Sequence, residues 1–82
     1  MNNAEKLKEL VLDVLLIDDD QYHVDLNRAD VSTWDSLGVV ALAVGVHETF
    51  DHHMTPDEAV AVQSVRDIVS YLESKGLTFE ES

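Results

Sequence analysis

The sequence predicts an all-α fold, a small bundle of four helices, three longer and one short, with a long loop between the first and second. Three observations predict it. Apolar residues recur at three- and four-residue steps over segments of helical length. Each segment opens beside an Asn, Asp, Ser or Thr able to cap it, and the short one opens on the only proline. The 82 residues include no cysteine, so the core rests on Leu, Val, Ile and a few aromatics, without disulfides or thiolate-bound zinc. A chain of this size forms one domain over residues 1–82, with its core from about 4 to 75. It buries about 60% of its unfolded surface, so its stability is modest.

The first helix is expected from Asn3 to about Leu16, capped by Asn2 or Asn3. Leu7, Leu10, Val11, Val14 and Leu15 form its apolar stripe, and Glu5, Lys6, Lys8, Glu9 and Asp13 its solvated face. From Ile17 to Trp34 the period breaks, and five aspartates, Asp18, Asp19, Asp20, Asp25 and Asp30, face the single basic Arg28. This reads as a long loop with a short turn near Leu26-Asn27-Arg28, and a loop of such length in a small domain points to function. The Asp18-Asp19-Asp20 run does not make an EF-hand. Counted from Asp18, the sixth position is His23 instead of Gly and the twelfth is Ala29 instead of Glu, so the sharp turn and the bidentate ligand are both missing.

Ser36 to about Phe50 is rich in valine and contains Gly45, which by propensity alone disfavours a helix. Its length and its repeat decide for one: Leu42, Val46 and Phe50 recur every four residues, with Val39 and Ala43 alongside. Leu37, Val40, Ala41, Val44, His47 and Glu48 remain for the other face, where Val40 and Val44 read equally as surface or as core. A short third helix opens at Pro56 with Thr55 as cap, and ends near Val62, burying Ala59 and either Val62 or Val60. The last helix opens at Ser64, with Asp67 in place of the usual Glu of a capping box. Val65, Ile68, Val69 and Leu72 form its stripe, and Gly76 follows its end. Leu77 to Ser82 reads as a frayed tail, from which Leu77 or Phe79 can fold back.

Seventeen acidic against five basic side chains give a net charge of −12, which repels nucleic acid and anionic membranes and steers basic protein surfaces toward the chain. No apolar run approaches the ~20 residues of a membrane span and the N-terminus is not a signal peptide, so the expected location is cytoplasmic and the expected state a monomer. His47, His52 and His53, with Glu48 and Asp51, lie within seven positions. They lack an i,i+4 histidine pair on one helical face, so no metal site is expected from them.

Chemistry concentrates at Thr33-Trp34-Asp35-Ser36-Leu37-Gly38, where the acidic loop meets the apolar second helix. A hydroxyl at a helix start stands among outward N–H groups at the positive end of the dipole, a favourable place for a phosphate. Intrinsic catalysis by Ser36 is not expected: Trp34 and Gly38 flank it, so the Gly-x-Ser-x-Gly elbow is absent, and a small bundle offers little concavity.

Asp35-Ser36-Leu37, set before a helix ending at Phe50 and followed by Pro56-Asp57-Glu58-Ala59 and Ser64-Val65-Arg66-Asp67-Ile68, resembles the acyl carrier proteins from about Ala4 to Leu72. The resemblance implies a stand-alone carrier with 4′-phosphopantetheine on Ser36, added from coenzyme A by a phosphopantetheinyl transferase, with Asp35 contacting that enzyme and its metal and Leu37 completing the motif. It implies a loop pinned to the core, for which Tyr22, Val24, Leu26 and Val31 are the candidates. It implies docking of acyl-loading and acyl-transferring enzymes with basic surfaces through the second helix, at Val40, Ala41, Val44, His47 and Glu48. Glu48 keeps the acidic pattern of that helix, while Gly38, Ala41 and His47 stand where acids are common, which points to a more apolar interface. The cargo implied is an acyl group of fatty-acid, polyketide or other specialised biosynthesis. Without Gly-Gly-x-Ser the pattern leans away from an aminoacyl or peptidyl carrier, and Trp34 hints at a dedicated partner. Two other classes fit the composition: an unmodified acidic interaction module and a weak divalent-ion buffer.

Overall fold

The computed structural model describes residues 2–79, and among them four α-helices and no strand: α1 (Asn3–Leu15), α2 (Ser36–Phe50), α3 (Pro56–Ala61) and α4 (Val65–Ser74). The predicted fold class and the order of its helices hold. Local chemistry sets each boundary. Asn2 caps α1 by accepting the Glu5 N–H at 2.8 Å, and Glu5 reaches back to the Asn2 N–H. Thr55 and Glu58 close the same reciprocal box on α3, with Pro56 at its first position. On α4 the box is altered: Ser64 accepts the Asp67 N–H, but the shorter Asp67 carboxylate takes the Gln63 N–H instead of the cap's own.

The helices close around Leu7, Val11 and Leu15 of α1, Leu42 and Val46 of α2, and Val65, Ile68 and Leu72 of α4, all buried. Phe50, Met54, Ala59 and Val62 extend this core under α3, so Val62, not Val60, is the buried member of that pair. Each buried Val, Leu or Ile contributes about 1.5–3 kcal/mol relative to exposure, and this burial offsets the poor helix propensity of α2. Gly45 is tolerated for a packing reason. A Cβ there would overlap Leu10 Cδ1, so the glycine opens a seat for a leucine of α1.

The connection between α1 and α2 is better ordered than a plain loop. Two 3-10 turns, Asp19–Gln21 and Arg28–Asp30, break it up, and Asn27 caps the second through the Ala29 N–H. Leu26 and Val31 are buried and Tyr22 half-buried, as expected of anchors. Val24 is not an anchor: it is 36% exposed, because what ties it down is its backbone. The Val24 carbonyl accepts the Arg66 N–H at 2.9 Å, the Leu26 carbonyl the Val65 N–H at 3.1 Å, and the Arg28 N–H donates to Gln63 at 2.7 Å. The loop is thereby stitched to the start of α4 by main-chain bonds that a side-chain pattern does not reveal.

Beyond α4 the chain is not frayed as far as residue 79, and the expected fold-back of Leu77 and Phe79 is what the structure shows. Gly76, at φ 95°, lets the Leu77 N–H return to Leu72 and its own N–H to Glu73, a Schellman closure. Leu77 and Phe79 then fold against the core, with the Phe79 ring 5.9 Å from Phe50, and Asn3 Nδ2 donates to the Thr78 carbonyl. The rest of the predicted tail, residues 80–82, lies outside the described residues.

Candidate functional site

The start of α2 is built from three constraints. Asp35 adopts an extended backbone, and its Oδ1 accepts the Gly38 N–H at 3.0 Å while its carbonyl accepts that of Val39 at 2.9 Å. Asp35 is therefore the cap and Ser36 the first helical residue, exposed to solvent. The N–H groups of Ser36 and Leu37 stay at the positive end of the helix, where an anion is favoured.

The second constraint is Gly38. It is buried, and a Cβ on it would lie 2.5 Å from the Thr33 carbonyl oxygen and 3.5 Å from Leu15 Cδ2. The sequence reading set Gly38 among positions where docking acids are common. It faces inward, because α2 must approach the loop backbone this closely for Thr33 to bond the end of α1 through its hydroxyl and the Leu15 carbonyl.

Trp34 is the third. Its indole is buried, so it packs in the core. The Arg28 Nε donates to the Trp34 carbonyl at 3.0 Å, and the Trp34 N–H to Val31 at 3.0 Å. As the residue before the cap, Trp34 thus anchors the entry to α2, a role its size could have signalled, since a large aromatic next to a buried helix dominates local burial.

Beyond Ser36, α2 presents Leu37 at 78% exposure, Val40 at 61% and Val44 at 52%, with Ala41, His47 and Glu48 exposed beside them. Val40 and Val44 are therefore surface residues, and the face carries no acid before Glu48. Val40 and Val44 also form one wall of a groove of about 440 Å³ between α2 and α3, whose other wall includes Pro56, Ala59 and Val60. On α3, Glu58 has its carboxyl below the ordinary 4.5, chiefly because the Thr55 N–H donates to it, against the opposing effect of burial. The Thr55 hydroxyl and the charges of Lys75 and His53 add to the lowering. Among the described residues no group of three His, Asp or Glu side chains is placed to hold a metal ion, and no helix is long and apolar enough to cross a membrane.

Residues 5–72 match the family model described as the phosphopantetheine attachment site. The chain belongs to the acyl carrier protein family. The chain is 32% identical over 71 residues to an acyl carrier protein of Bdellovibrio bacteriovorus, covering 87% of this chain and 91% of that one. It is 36% identical over 70 residues to one of Clostridium acetobutylicum, covering 85% and 91%. It is 32% identical over 75 residues to one of Solidesulfovibrio magneticus, covering 92% and 96%. Membership makes this acyl carrier protein a carrier and not a catalyst, and implies a covalently attached 4′-phosphopantetheine group.

Proposed function

We propose that the protein carries acyl groups as thioesters on a 4′-phosphopantetheine arm attached to Ser36. The observation that carries the reading is the placement of one hydroxyl: exposed, first in α2, with its neighbour Asp35 already engaged as the cap. A phosphodiester formed there sits against the outward N–H groups of Ser36 and Leu37, so the residues present fit the group. Loading joins Ser36 Oγ to the phosphorus that bears pantetheine in coenzyme A. The pyrophosphate bond breaks, adenosine 3′,5′-bisphosphate leaves, and the hydroxyl proton passes to a base of the transferase. Asp35 keeps one carboxylate oxygen, Oδ2, for that enzyme or its magnesium ion while Oδ1 holds the helix.

Once attached, the arm supplies a thiol that a chain without cysteine lacks, and tethering gives its cargo a high effective concentration at each partner's active site. The groove between α2 and α3 shelters the acyl chain. Its aliphatic walls favour an acyl over an aminoacyl cargo. Partner enzymes dock on Leu37, Val40, Ala41, Val44, His47 and Glu48, with apolar contact at the centre and basic groups of the partner meeting Glu48 and the surrounding acidic surface.

The test is incubation with coenzyme A, magnesium and a broad-specificity phosphopantetheinyl transferase, followed by intact-mass measurement. One phosphopantetheine is added to the wild-type protein and none to Ser36→Ala, which folds normally because residue 36 is exposed. A folded wild-type protein that gains nothing, or a Ser36→Ala protein that still gains the group, refutes the assignment.

A further inference from the structure

α1 ends on a residue that the fold itself does not reward. Leu16, its C-cap, is held in the left-handed region at φ 56° and ψ 43°, where a side chain crowds the carbonyl that follows and glycine is the usual occupant. Asp51 is the other non-glycine residue with positive φ among the described residues, and an aspartate accepts that conformation more readily than a leucine. Leu16 is also 80% exposed, more than any other large hydrophobic residue described, so its side chain gains little inside the molecule. Strain kept without an internal return marks a surface that something else uses.

The position of Leu16 says what that is. The Thr33 hydroxyl donates to the Leu15 carbonyl, and Leu15 Cδ2 lies 3.5 Å from where a Cβ on Gly38 would stand, so the end of α1 abuts the chain both before and after Ser36. Leu16 is one Cα step further on, about 3.8 Å. A hollow of about 210 Å³ opens beside it, lined by Leu16, Ile17, Val31, Thr33 and Asp30 among others. Leu37, which follows Ser36, is 78% exposed and continues the apolar surface toward Val40 and Val44. Enzymes that use the thiol meet it at the end of a long arm and can dock further along α2. The enzyme that attaches the arm has to bring phosphorus to Ser36 Oγ itself, and an interface of about 800 Å² per partner extends about 16 Å from its centre. A surface of that size closed on Ser36 covers Leu16.

We infer that Leu16 is a docking residue for the phosphopantetheinyl transferase, seated in an apolar pocket of that enzyme whose rim is basic. The basic rim follows from charge: Asp30 lines the hollow beside Leu16, Asp18 stands two residues beyond it, and the whole chain carries −12. The inference rests on the reading of Ser36 as the attachment point.

The experiment follows loading of the full chain by intact mass, with coenzyme A, magnesium and a broad-specificity transferase, at varied carrier concentration. The wild type is compared with Leu16→Gly and Leu16→Asn, which suit the left-handed backbone but remove the apolar side chain, and with Leu16→Met, which keeps it. The expected result is a KM for the carrier raised roughly ten-fold or more in the Gly and Asn variants, as for exposing a leucine that the complex buries, with kcat unchanged and Leu16→Met within about two-fold of wild type. Thermal melts show Leu16→Gly at least as stable as wild type, so the loss does not come from unfolding. A folded wild type that fails to load overturns the attachment reading and this inference together. Loading with KM unchanged in the Gly and Asn variants, a lower kcat in place of a higher KM, or a Leu16→Gly protein less stable than wild type overturns this inference alone. So does a wild-type dimer that Leu16→Gly dissociates, since the face then belongs to a second copy of the chain.

Discussion

Gly38 and Gly45 lie in the same helix, and replacing either with alanine gains about 1 kcal/mol of helix propensity, yet only the substitution at Gly38 should cost the fold stability. At Gly38 the new methyl lies 2.5 Å from the Thr33 carbonyl oxygen, a backbone atom. That backbone cannot yield cheaply, because the Thr33 hydroxyl is bonded to Leu15, and Trp34, the next residue, is buried with its carbonyl held by Arg28. Overpacking of this kind costs about 1–3 kcal/mol or somewhat more, and exceeds the propensity gain. At Gly45 the obstacle is the tip of the half-buried Leu10 side chain, with Cγ at 3.3 Å, and a rotamer change there costs about 0.5–1.5 kcal/mol, close to what the helix gains. Gly38→Ala should therefore be less stable than wild type by about 1–2 kcal/mol, lowering Tm by roughly 4–16 °C, while Gly45→Ala stays within about 0.5 kcal/mol. Urea and thermal unfolding of the two variants decide it. A Gly38→Ala protein as stable as Gly45→Ala would refute the claim that close approach to Thr33 seats the first turn of α2.

Leu16 ends α1 in the left-handed region at φ 56° and is 80% exposed, so it bears a conformational cost of roughly 1–2 kcal/mol with little packing in return. Leu16→Gly should raise stability by about 0.5–1 kcal/mol after the glycine's own entropy is set against it, and a fall in Tm would contradict this. The Glu58 carboxyl is held below its ordinary 4.5, so its contribution is complete above that value and is lost as pH falls through the lowered folded value. Glu58→Gln, which can keep the same cap, should lack this loss: the stability gap between wild type and variant narrows on acidification below pH 4.5, and a gap independent of pH would count against it. Val44→Asp places a charge on the exposed face of α2, so stability should change by less than about 0.5 kcal/mol while partner enzymes bind several-fold more weakly. Raising salt until the Debye length falls from about 10 to about 3 Å should weaken the wild-type complex only modestly, and a steep loss would show that charge, not apolar contact, dominates docking.

The helices were legible in the sequence because each carries its own start signal and its own stripe: Asn2 with Glu5, Thr55 with Pro56 and Glu58, Ser64 before Val65. Periodicity also separated the buried Val39, Leu42, Val46 and Phe50 from the rest of α2, but could not by itself place Val40 and Val44, since an almost wholly apolar helix has no polar face to mark the water side. What stayed illegible depends on backbone atoms. The loop is held by carbonyls of Val24 and Leu26 meeting N–H groups of α4, and such bonds are open to nearly any side chain, so Val24 was assigned to the core for its hydrophobicity alone. Gly38 was misplaced for a related reason: a glycine required by a neighbour's carbonyl looks in sequence like a glycine that merely lacks a side chain.

The same distinction explains why the start of α2 combines rigidity with exposure. On the proposed function, Ser36 has to be reachable by enzymes and also has to present its hydroxyl in one place, and a hydroxyl that served as its own helix cap would be turned back toward the N–H groups it satisfies. Here Asp35 takes the cap, Gly38 brings the first turn against Thr33, and Trp34 anchors the entry to α2, so that Ser36 needs no hydrogen bond to be held. Moving the cap to residue 36 would free the carboxylate and bind the hydroxyl. Asp35→Ala should accordingly cost about 1 kcal/mol of stability through the lost cap, and slow transfer of phosphopantetheine by more than that loss explains, even at temperatures where the variant is fully folded.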